Sequence, residues 1–306
     1  MTAVVALGGG HGLAATLRAL ALLDVGITAV VGTGDDGGSS GRLREHLGVP
    51  PPGDLRMALV ALTDDGLWPR VLQHRFGGTG DVEGHALGNL LLVALWEETG
   101  DVVAGLDRLG RVLDARGRVL PNSVEPVDVV AEVRERDSAT VSEVRGQARI
   151  TSTVGTIESL RLDPAHARSC PEAVAAITRA DAVVFGPGSW FTSVLPHLLV
   201  PGIAETIASS PARRVLVVNS MPQKGETQDF AAHDYLDTWA RLVPQVGLDV
   251  VLVDPTTVHD MPALIAAARR VGAEVHLADL LLPDDSAHDP VRLAAALEAL
   301  LPTGAR

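Results

Sequence analysis

Short apolar runs alternate with longer amphipathic stretches along this chain, and glycine or proline separates most of them. Five β-branched runs have the length and composition of strands buried on both faces: Ala3–Leu7, Ile27–Val31, Ala182–Phe185, Val215–Val218 and Val250–Val253. Seven other stretches have the apolar spacing of helices: Leu13–Leu23, Leu55–Leu62, Leu87–Glu98, Glu172–Arg179, Gly202–Ser209, Met261–Arg270 and Pro290–Leu301. This alternation predicts an α/β fold, a Rossmann-like, doubly wound and mostly parallel sheet.

One segment, at about residues 116–162, breaks this rhythm. Val127–Glu135, Ala139–Val144 and Gln147–Ile150 predict short strands joined by tight polar turns, without a strong helix pattern between them. We therefore expect a single domain over residues 1–306 that carries a small β-rich insertion.

Composition narrows the class of protein. A net charge of −13 argues against nucleic acid or an anionic membrane surface as the main partner. The single cysteine, Cys170, excludes an intrachain disulfide, and the single lysine, Lys224, disfavours a lysine-based phosphate loop. No apolar run of about 18 residues exists to span a membrane, and the first residues lack the pattern of a signal peptide, so we expect a cytoplasmic protein.

A glycine-rich turn follows the first predicted strand. Its residues are Gly8, Gly9, Gly10, His11 and Gly12, and Gly10, Gly12 and Ala15 fit the pattern G-x-G-x-x-A. In that pattern phosphate groups meet the backbone amides at a helix amino end. The turn predicts a phosphorylated ligand; the alternatives are a tight turn without a ligand and an NAD(P) site.

A long polar loop is predicted after the second strand. Asp35 and Asp36 are placed to contact a ribose or to hold Mg²⁺ beside phosphates, although either could simply cap a turn. Hydroxyls and arginines around them suit a phosphate or sugar site, so the candidate contacts here are Gly37, Ser39, Ser40, Arg42, Asp54 and Arg56. Asp54 is also placed to cap the next helix, and Arg56 could be a surface residue.

Three further segments carry candidate contact residues at the ends of predicted elements. Asn89 opens an apolar helix, while Gly186, Gly188, Ser189 and Asn219 come directly after strands. Ligands of open α/β sheets bind outside the carboxyl ends of the strands, so we expect these segments to converge on one site.

Six motifs carry a resemblance to a known family: GGGHGL, DDGGSSGRLR, PPPGDLR, HALGNLL, GPGSWFTSVLPHLLVPGI and MPQKGET. They resemble the YvcK-type gluconeogenesis factor family, relatives of the CofD 2-phospho-lactate transferases, from Val4 to about Asp254. The resemblance implies a Rossmann-like fold and a UDP-sugar ligand such as UDP-N-acetylglucosamine. It also implies a regulator that links gluconeogenic carbon metabolism to cell-wall precursor supply and cell shape. Protein partners in cell-wall precursor synthesis and a homodimer follow as expectations.

Three functions stay open at this point. The first is a nucleotide-sugar-binding regulator without turnover. The second is a CofD-like, Mg²⁺-dependent transferase in which Asp35 and Asp36 hold the metal and Arg42 neutralises phosphates. The third and weakest is an NAD(P)-binding protein.

Overall fold

Seven parallel strands form the central sheet of the protein, whose computed structural model describes residues 1–136, 140–223, 225–284 and 287–302. The strands are β1 (Thr2–Gly8), β2 (Val25–Val31), β3 (Gly117–Pro121), β7 (Ala182–Phe185), β8 (Arg213–Val217), β9 (Val250–Val253) and β10 (Glu274–Leu277). Their order across the sheet is β10-β9-β8-β7-β1-β2-β3. The predicted fold class is confirmed, and the five predicted strands all lie in this sheet.

Helices cover both faces of the sheet. They are α1 (Gly10–Leu20), α2 (Gly38–Leu47), α3 (Pro52–Ala61), α4 (Leu67–Gln73), α5 (Leu87–Thr99), α6 (Val102–Val112), α8 (Pro171–Thr178), α9 (Ile203–Ser209), α10 (Ala232–Leu242), α11 (Met261–Arg270) and α12 (Pro290–Leu300). Alternate strand residues enter two hydrophobic cores: Val5 and Leu7 lie in one, Val4 and Ala6 in the other. Burial on both faces explains why the strand sequences are almost continuously apolar.

The sheet changes direction at its first strand. From β1 the chain moves to β2 and β3 on one side, and it later returns to β7 on the other side. Such a reversal leaves a crevice outside the carboxyl ends of the two strands that flank it, here β1 and β7.

A separate three-stranded antiparallel sheet is formed by β4 (Asp128–Glu135), β5 (Val141–Arg145) and β6 (Gly155–Asp163). The prediction of a strand over Gln147–Ile150 is wrong, because these residues form a short helix, α7, that follows Gly146. Ala139, the predicted start of the middle strand, lies outside the described residues. The strand β3 also falls within the range predicted for the insertion, yet it pairs with β2 in the main sheet.

The polar loop predicted after the second strand is largely helical. Residues Gly38–Leu47 form α2, whose two glycines and two serines give it low intrinsic helix propensity, so tertiary contacts decide its structure. Within the described residues no single helix is long and apolar enough to cross a bilayer. The two helical segments that reach the required length and composition together, Trp190–Leu199 and Ile203–Ser209, meet at 76°.

Candidate functional site

Two glycine turns face each other outside the carboxyl ends of β1 and β7. The first is Gly8–Gly12, inside which α1 begins at Gly10; the second is Gly186–Ser189. A Cβ atom on Gly12 would lie 2.1 Å from the carbonyl oxygen of Pro187, so only glycine allows the two turns to approach this closely. The turns form opposite walls of one depression, which we name the switch-point crevice.

Side chains fix the shape of both walls. The Asn219 amide donates to the carbonyl oxygen of Gly188 and accepts from its N–H, each at 2.8 Å. The His197 Nε2 lies 3.0 Å from the carbonyl oxygen of Gly8. Burial lowers the pKa of His197 to about 4, so the ring is neutral and Nε2–H donates. Asn219, a predicted ligand contact, therefore uses its amide to position a turn.

The switch-point crevice has a volume of about 270 Å³ and continues into a neighbouring recess of about 290 Å³. Both are lined by Asn219, Ser220, Met221 and Pro222. The crevice is otherwise bounded by the two turns and His288, whereas the recess adds rings and hydroxyls, those of Phe230, Tyr235, Thr256 and Thr257. The crevice and the recess together therefore offer backbone groups at one end and aromatic surface at the other.

His288 was not among the predicted site residues, yet it lines the crevice. It is 6% exposed, and burial lowers its pKa against the opposing effect of a hydrogen bond to the backbone of Val218. In the described part of the chain its Nε2 has no hydrogen-bond partner. The neutral ring thus keeps a buried acceptor without a partner, because the other nitrogen holds the proton for the backbone carbonyl.

Asp54 reaches from the first turn of α3 to the glycine turn. Its carboxylate accepts from the Gly10 N–H, and a Cβ on Gly9 would lie 2.4 Å from its Oδ2. Burial raises the pKa of Asp54 to about 7, with a further contribution from the Asp35 carboxylate; the Gly10 bond and Arg56 oppose this. Asp54 therefore changes protonation state near neutral pH beside the predicted phosphate site.

Asp35 and Asp36 have different surroundings although they are adjacent in sequence. Asp35 accepts from the Gly37 N–H at 3.0 Å and acts electrostatically on Asp54, whereas Asp36 accepts from the Ala148 N–H at 2.8 Å. Among the described residues no group of three or more His, Cys, Asp or Glu side chains is arranged to hold a metal ion. A magnesium site of fewer protein ligands stays a prediction, and of the two acids it is Asp35 whose charge acts on Asp54.

Four of the predicted contact residues belong to a buried polar network between α2, α3 and α5. The Arg56 Nε donates to Asn89 Oδ1 at 2.8 Å, and Asn89 Nδ2 donates to Ser39 Oγ at 2.9 Å. Ser39 Oγ lies 3.0 Å from His85 Nδ1, while Ser40 Oγ accepts from the Gly53 N–H at 3.1 Å. These side chains hold the helices together, and Arg56, 3% exposed, is not a surface residue.

The remaining predicted residues divide between two places. His11 lines the crevice, and the Ser189 carbonyl accepts two backbone N–H groups that begin the next helical turn. Arg42 instead lines a second cavity, beside α2, and donates to the backbone carbonyl of Glu83. The convergence expected from the sequence thus produces two neighbouring cavities instead of one.

Comparison with known proteins gives one consistent family. The family model described as 2-phospho-L-lactate transferase CofD matches residues 4–284. The chain belongs to the CofD family. A Mycobacterium tuberculosis relative is 46% identical over 97% of this chain and 90% of its own length. The relative named gluconeogenesis factor from Bacillus subtilis is 41% identical over 83% of this chain and 78% of its own length.

Solved structures agree with this assignment. The crystal structure of a UPF0052-family protein from Bacillus halodurans superposes with a TM-score of 0.89 at 37% identity, and it covers 97% of this chain and 100% of that chain. The resemblance to CofD-related gluconeogenesis factors is therefore confirmed at the level of family and fold.

Proposed function

We propose that the switch-point crevice binds the diphosphate of a nucleotide sugar of the UDP-N-acetylglucosamine type. One observation carries the proposal: the amino end of α1, where the Asp54 carboxylate accepts from the Gly10 N–H, opens onto a cavity of about 270 Å³ walled by a second glycine turn. Backbone amides at such an end bind phosphate, and glycine lets the ligand approach them closely.

The neighbouring recess supports a nucleoside or sugar on the same ligand. Phe230 and Tyr235 offer aromatic surface, while Thr256 and Thr257 offer hydroxyls. The free acceptor on His288 suits an N–H or O–H donor, which both a uracil ring and a sugar supply. A compound with an anionic centre and a polar group at each end would therefore fit the crevice and the recess together.

Asp54 makes the binding dependent on a cation or a proton. A phosphate beside an ionised carboxylate is repelled, and Asp54 changes protonation state near pH 7. Mg²⁺ held by Asp35 and Asp54 would neutralise both groups, so we expect Mg²⁺ to strengthen UDP-sugar binding above pH 7.

The role that we propose is regulatory: the ligand is sensed, and the protein links gluconeogenic carbon metabolism to cell-wall precursor supply and cell shape. The name gluconeogenesis factor, carried by relatives 41–42% identical, supports a regulator. Cytoplasmic location, partners in cell-wall precursor synthesis and a homodimer are part of the same proposal.

A Mg²⁺-dependent transferase is the second candidate. Its support is the Asp35–Asp54 carboxylate pair at the glycine turn, together with the family model named for a transferase. The pair would hold the metal and orient the phosphates, and no covalent nucleophile is needed for such a reaction.

Calorimetric titration separates the candidates. UDP-N-acetylglucosamine, UDP-glucose, UDP, GTP and NAD⁺ are titrated with and without Mg²⁺, and mass spectrometry follows each mixture over hours. Binding of UDP-sugars without product supports the regulator, while product formation replaces it with the transferase. Binding of NAD⁺ alone, or of none of these compounds, overturns both.

A further inference from the structure

The second cavity is lined mainly by residues of α2 and is larger than the crevice, with a volume of about 650 Å³. We name it the arginine groove. Its lining includes Ser39 on α2, Arg42, Arg44, Arg75 and Asp128. Among the residues described, it shares no lining residue with the switch-point crevice or the recess. A cavity of this volume accommodates a small organic molecule.

The arginines of the groove have unequal partners. Arg44 pairs with Asp128 at 2.5 Å. Arg42 and Arg75 donate instead to backbone carbonyls, those of Glu83 and Gly84. Within the described ranges neither of these two arginines has a carboxylate partner, so their full charges remain available while the carbonyls fix their positions.

The lining also contains three acidic side chains, Asp36, Glu45 and Asp128. Asp128 accepts from two arginines, Arg44 and Arg145, and Asp36 accepts from a backbone N–H. Glu45 is exposed on α2. The lining thus holds three arginines and three carboxylates, but among the described residues none of these carboxylates forms an ion pair with Arg42 or Arg75.

The arginines of the groove lower the pKa values of neighbouring basic groups. The pKa of His85 is lowered, first by burial and then by Arg42, His46 and Arg75. The pKa of Arg56 is lowered to about 10 by burial and by Arg75, although Asp54 and Asp35 oppose the change. Like charges crowd together here, and an anion between them would relieve the repulsion.

We propose that the arginine groove binds a small organic dianion, a phosphomonoester or a dicarboxylate, as a second ligand beside the nucleotide site. The planar guanidinium groups of Arg42 and Arg75 match either anion through paired N–H donors. The inference goes beyond the proposed nucleotide-sugar function and does not depend on it, because the groove has its own lining. Arg56 interacts electrostatically both with Arg75 of the groove and with Asp54 beside the glycine turn.

The test uses the full chain and four probes: inorganic phosphate, glycerol 3-phosphate, malonate and succinate, each against NaCl at matched ionic strength. We expect at least one dianion to raise the melting temperature beyond the NaCl control and to give a saturable calorimetric titration. The phosphate and carboxylate arms distinguish the two sources of the anion. Absence of saturable binding by every probe overturns the proposal.

Variants locate the binding. Arg42→Gln and Arg75→Gln should each weaken the dianion about tenfold or more, since charge-assisted hydrogen bonds contribute roughly that much. Arg18→Gln removes an exposed arginine on α1 and is the matched control, with affinity unchanged. Glu45→Gln removes the exposed carboxylate of the lining and should tighten binding. Equal affinity in the wild type, Arg42→Gln and Arg75→Gln places the anion elsewhere and overturns the proposal.

A parallel titration of the wild type with UDP-N-acetylglucosamine keeps the two proposals separate. Dianion binding without UDP-sugar binding overturns the proposed function and leaves the arginine groove standing. UDP-sugar binding without dianion binding overturns the proposal for the arginine groove and leaves the proposed function standing.

Discussion

The switch-point crevice and the arginine groove lie at the same end of the sheet but are built from different materials. The crevice is walled by backbone, two glycine turns that touch so closely that a Cβ on Gly12 would lie 2.1 Å from the Pro187 carbonyl oxygen. The groove is walled by long side chains, and Arg42 and Arg75 are placed there by carbonyl groups. The crevice is rigid because its two turns contact each other closely. The groove is rigid because a hydrogen-bond network supports it.

This difference bears on what each cavity can recognise. Fixed amides and a helix amino end bind phosphate whatever is attached to it, so in the proposed site specificity has to come from side chains such as His288. Guanidinium groups recognise the shape of an anion, so the groove carries its own specificity. The comparison predicts that substitutions in the crevice act through backbone position and substitutions in the groove act through charge and hydrogen bonding.

The largest effect is expected from Gly12→Ala. Alanine has the higher helix propensity, so an isolated α1 would be stabilised by about 1 kcal/mol. The added Cβ collides with backbone atoms of the opposite turn, however, and we expect a loss of about 3–4 kcal/mol in unfolding free energy. Urea unfolding measures this loss of stability, and the affinity for UDP-sugars should fall as well.

Gly77→Ala is the control, because a Cβ at Gly77 meets no atom within 4 Å. A stabilised Gly12→Ala protein would show that the two turns separate freely and that the crevice is not rigid.

A somewhat smaller effect is expected from Asn89→Leu, which cuts the network beneath the groove. Leucine has a similar volume but removes the partner of Arg56 Nε and one of the two partners of Ser39 Oγ, at a cost of about 3 kcal/mol. Asn89→Asp keeps the acceptor for Arg56 and should lose less. Urea unfolding of both variants tests this order of stabilities. If Asn89→Leu is as stable as the wild type, the network does not support the groove.

The crevice could be predicted from sequence because its chemistry is local. Gly8–Gly12 and Gly186–Ser189 each follow an apolar strand, and parallel strands bring their carboxyl ends to one edge. The closeness of the turns was not predictable in detail, since it depends on the positions of β1 and β7, which are about 180 residues apart in the chain.

The groove and the network were outside the reach of sequence patterns. The α2 sequence has two glycines and two serines and favours a loop, so the side-chain directions that place Ser39 inward and Arg42 in the groove could not be derived. Arg75 and His288 had no local signal, because their environments are set by distant segments. Prediction from motifs therefore placed the candidate residues at one site, whereas the structure distributes them between two cavities.

At the junction of the two regions, Asp54→Asn should raise stability at alkaline pH. The folded protein holds the Asp54 proton up to a pKa of about 7, whereas the unfolded chain releases it near the ordinary 3.8. Wild-type stability from this group is therefore lost as pH rises from about 4 to about 7, and the loss stays constant above that range. Asparagine does not titrate, so the variant should gain up to about 4 kcal/mol over the wild type at pH 8 and nothing at pH 4.

Thermal unfolding of both proteins between pH 4 and pH 9 measures the difference, and Asp24→Asn, at an exposed carboxylate, is the control. A difference that is flat across this range would mean that Asp54 is not enclosed beside the glycine turn.

The smallest effect is expected at the rim of the crevice, from a matched pair of substitutions at His288. Asparagine can keep the donor to the Val218 backbone but has no atom at the position of Nε2, whereas glutamine places its amide oxygen there. We expect His288→Asn to weaken UDP-N-acetylglucosamine about tenfold, about 1.4 kcal/mol, and His288→Gln to weaken it less. Calorimetric titration at pH 7.5, with melting temperatures to confirm folding, measures both. If both variants bind as tightly as the wild type, the ligand does not reach His288, and recognition in the crevice depends on the backbone turns and the aromatic recess alone.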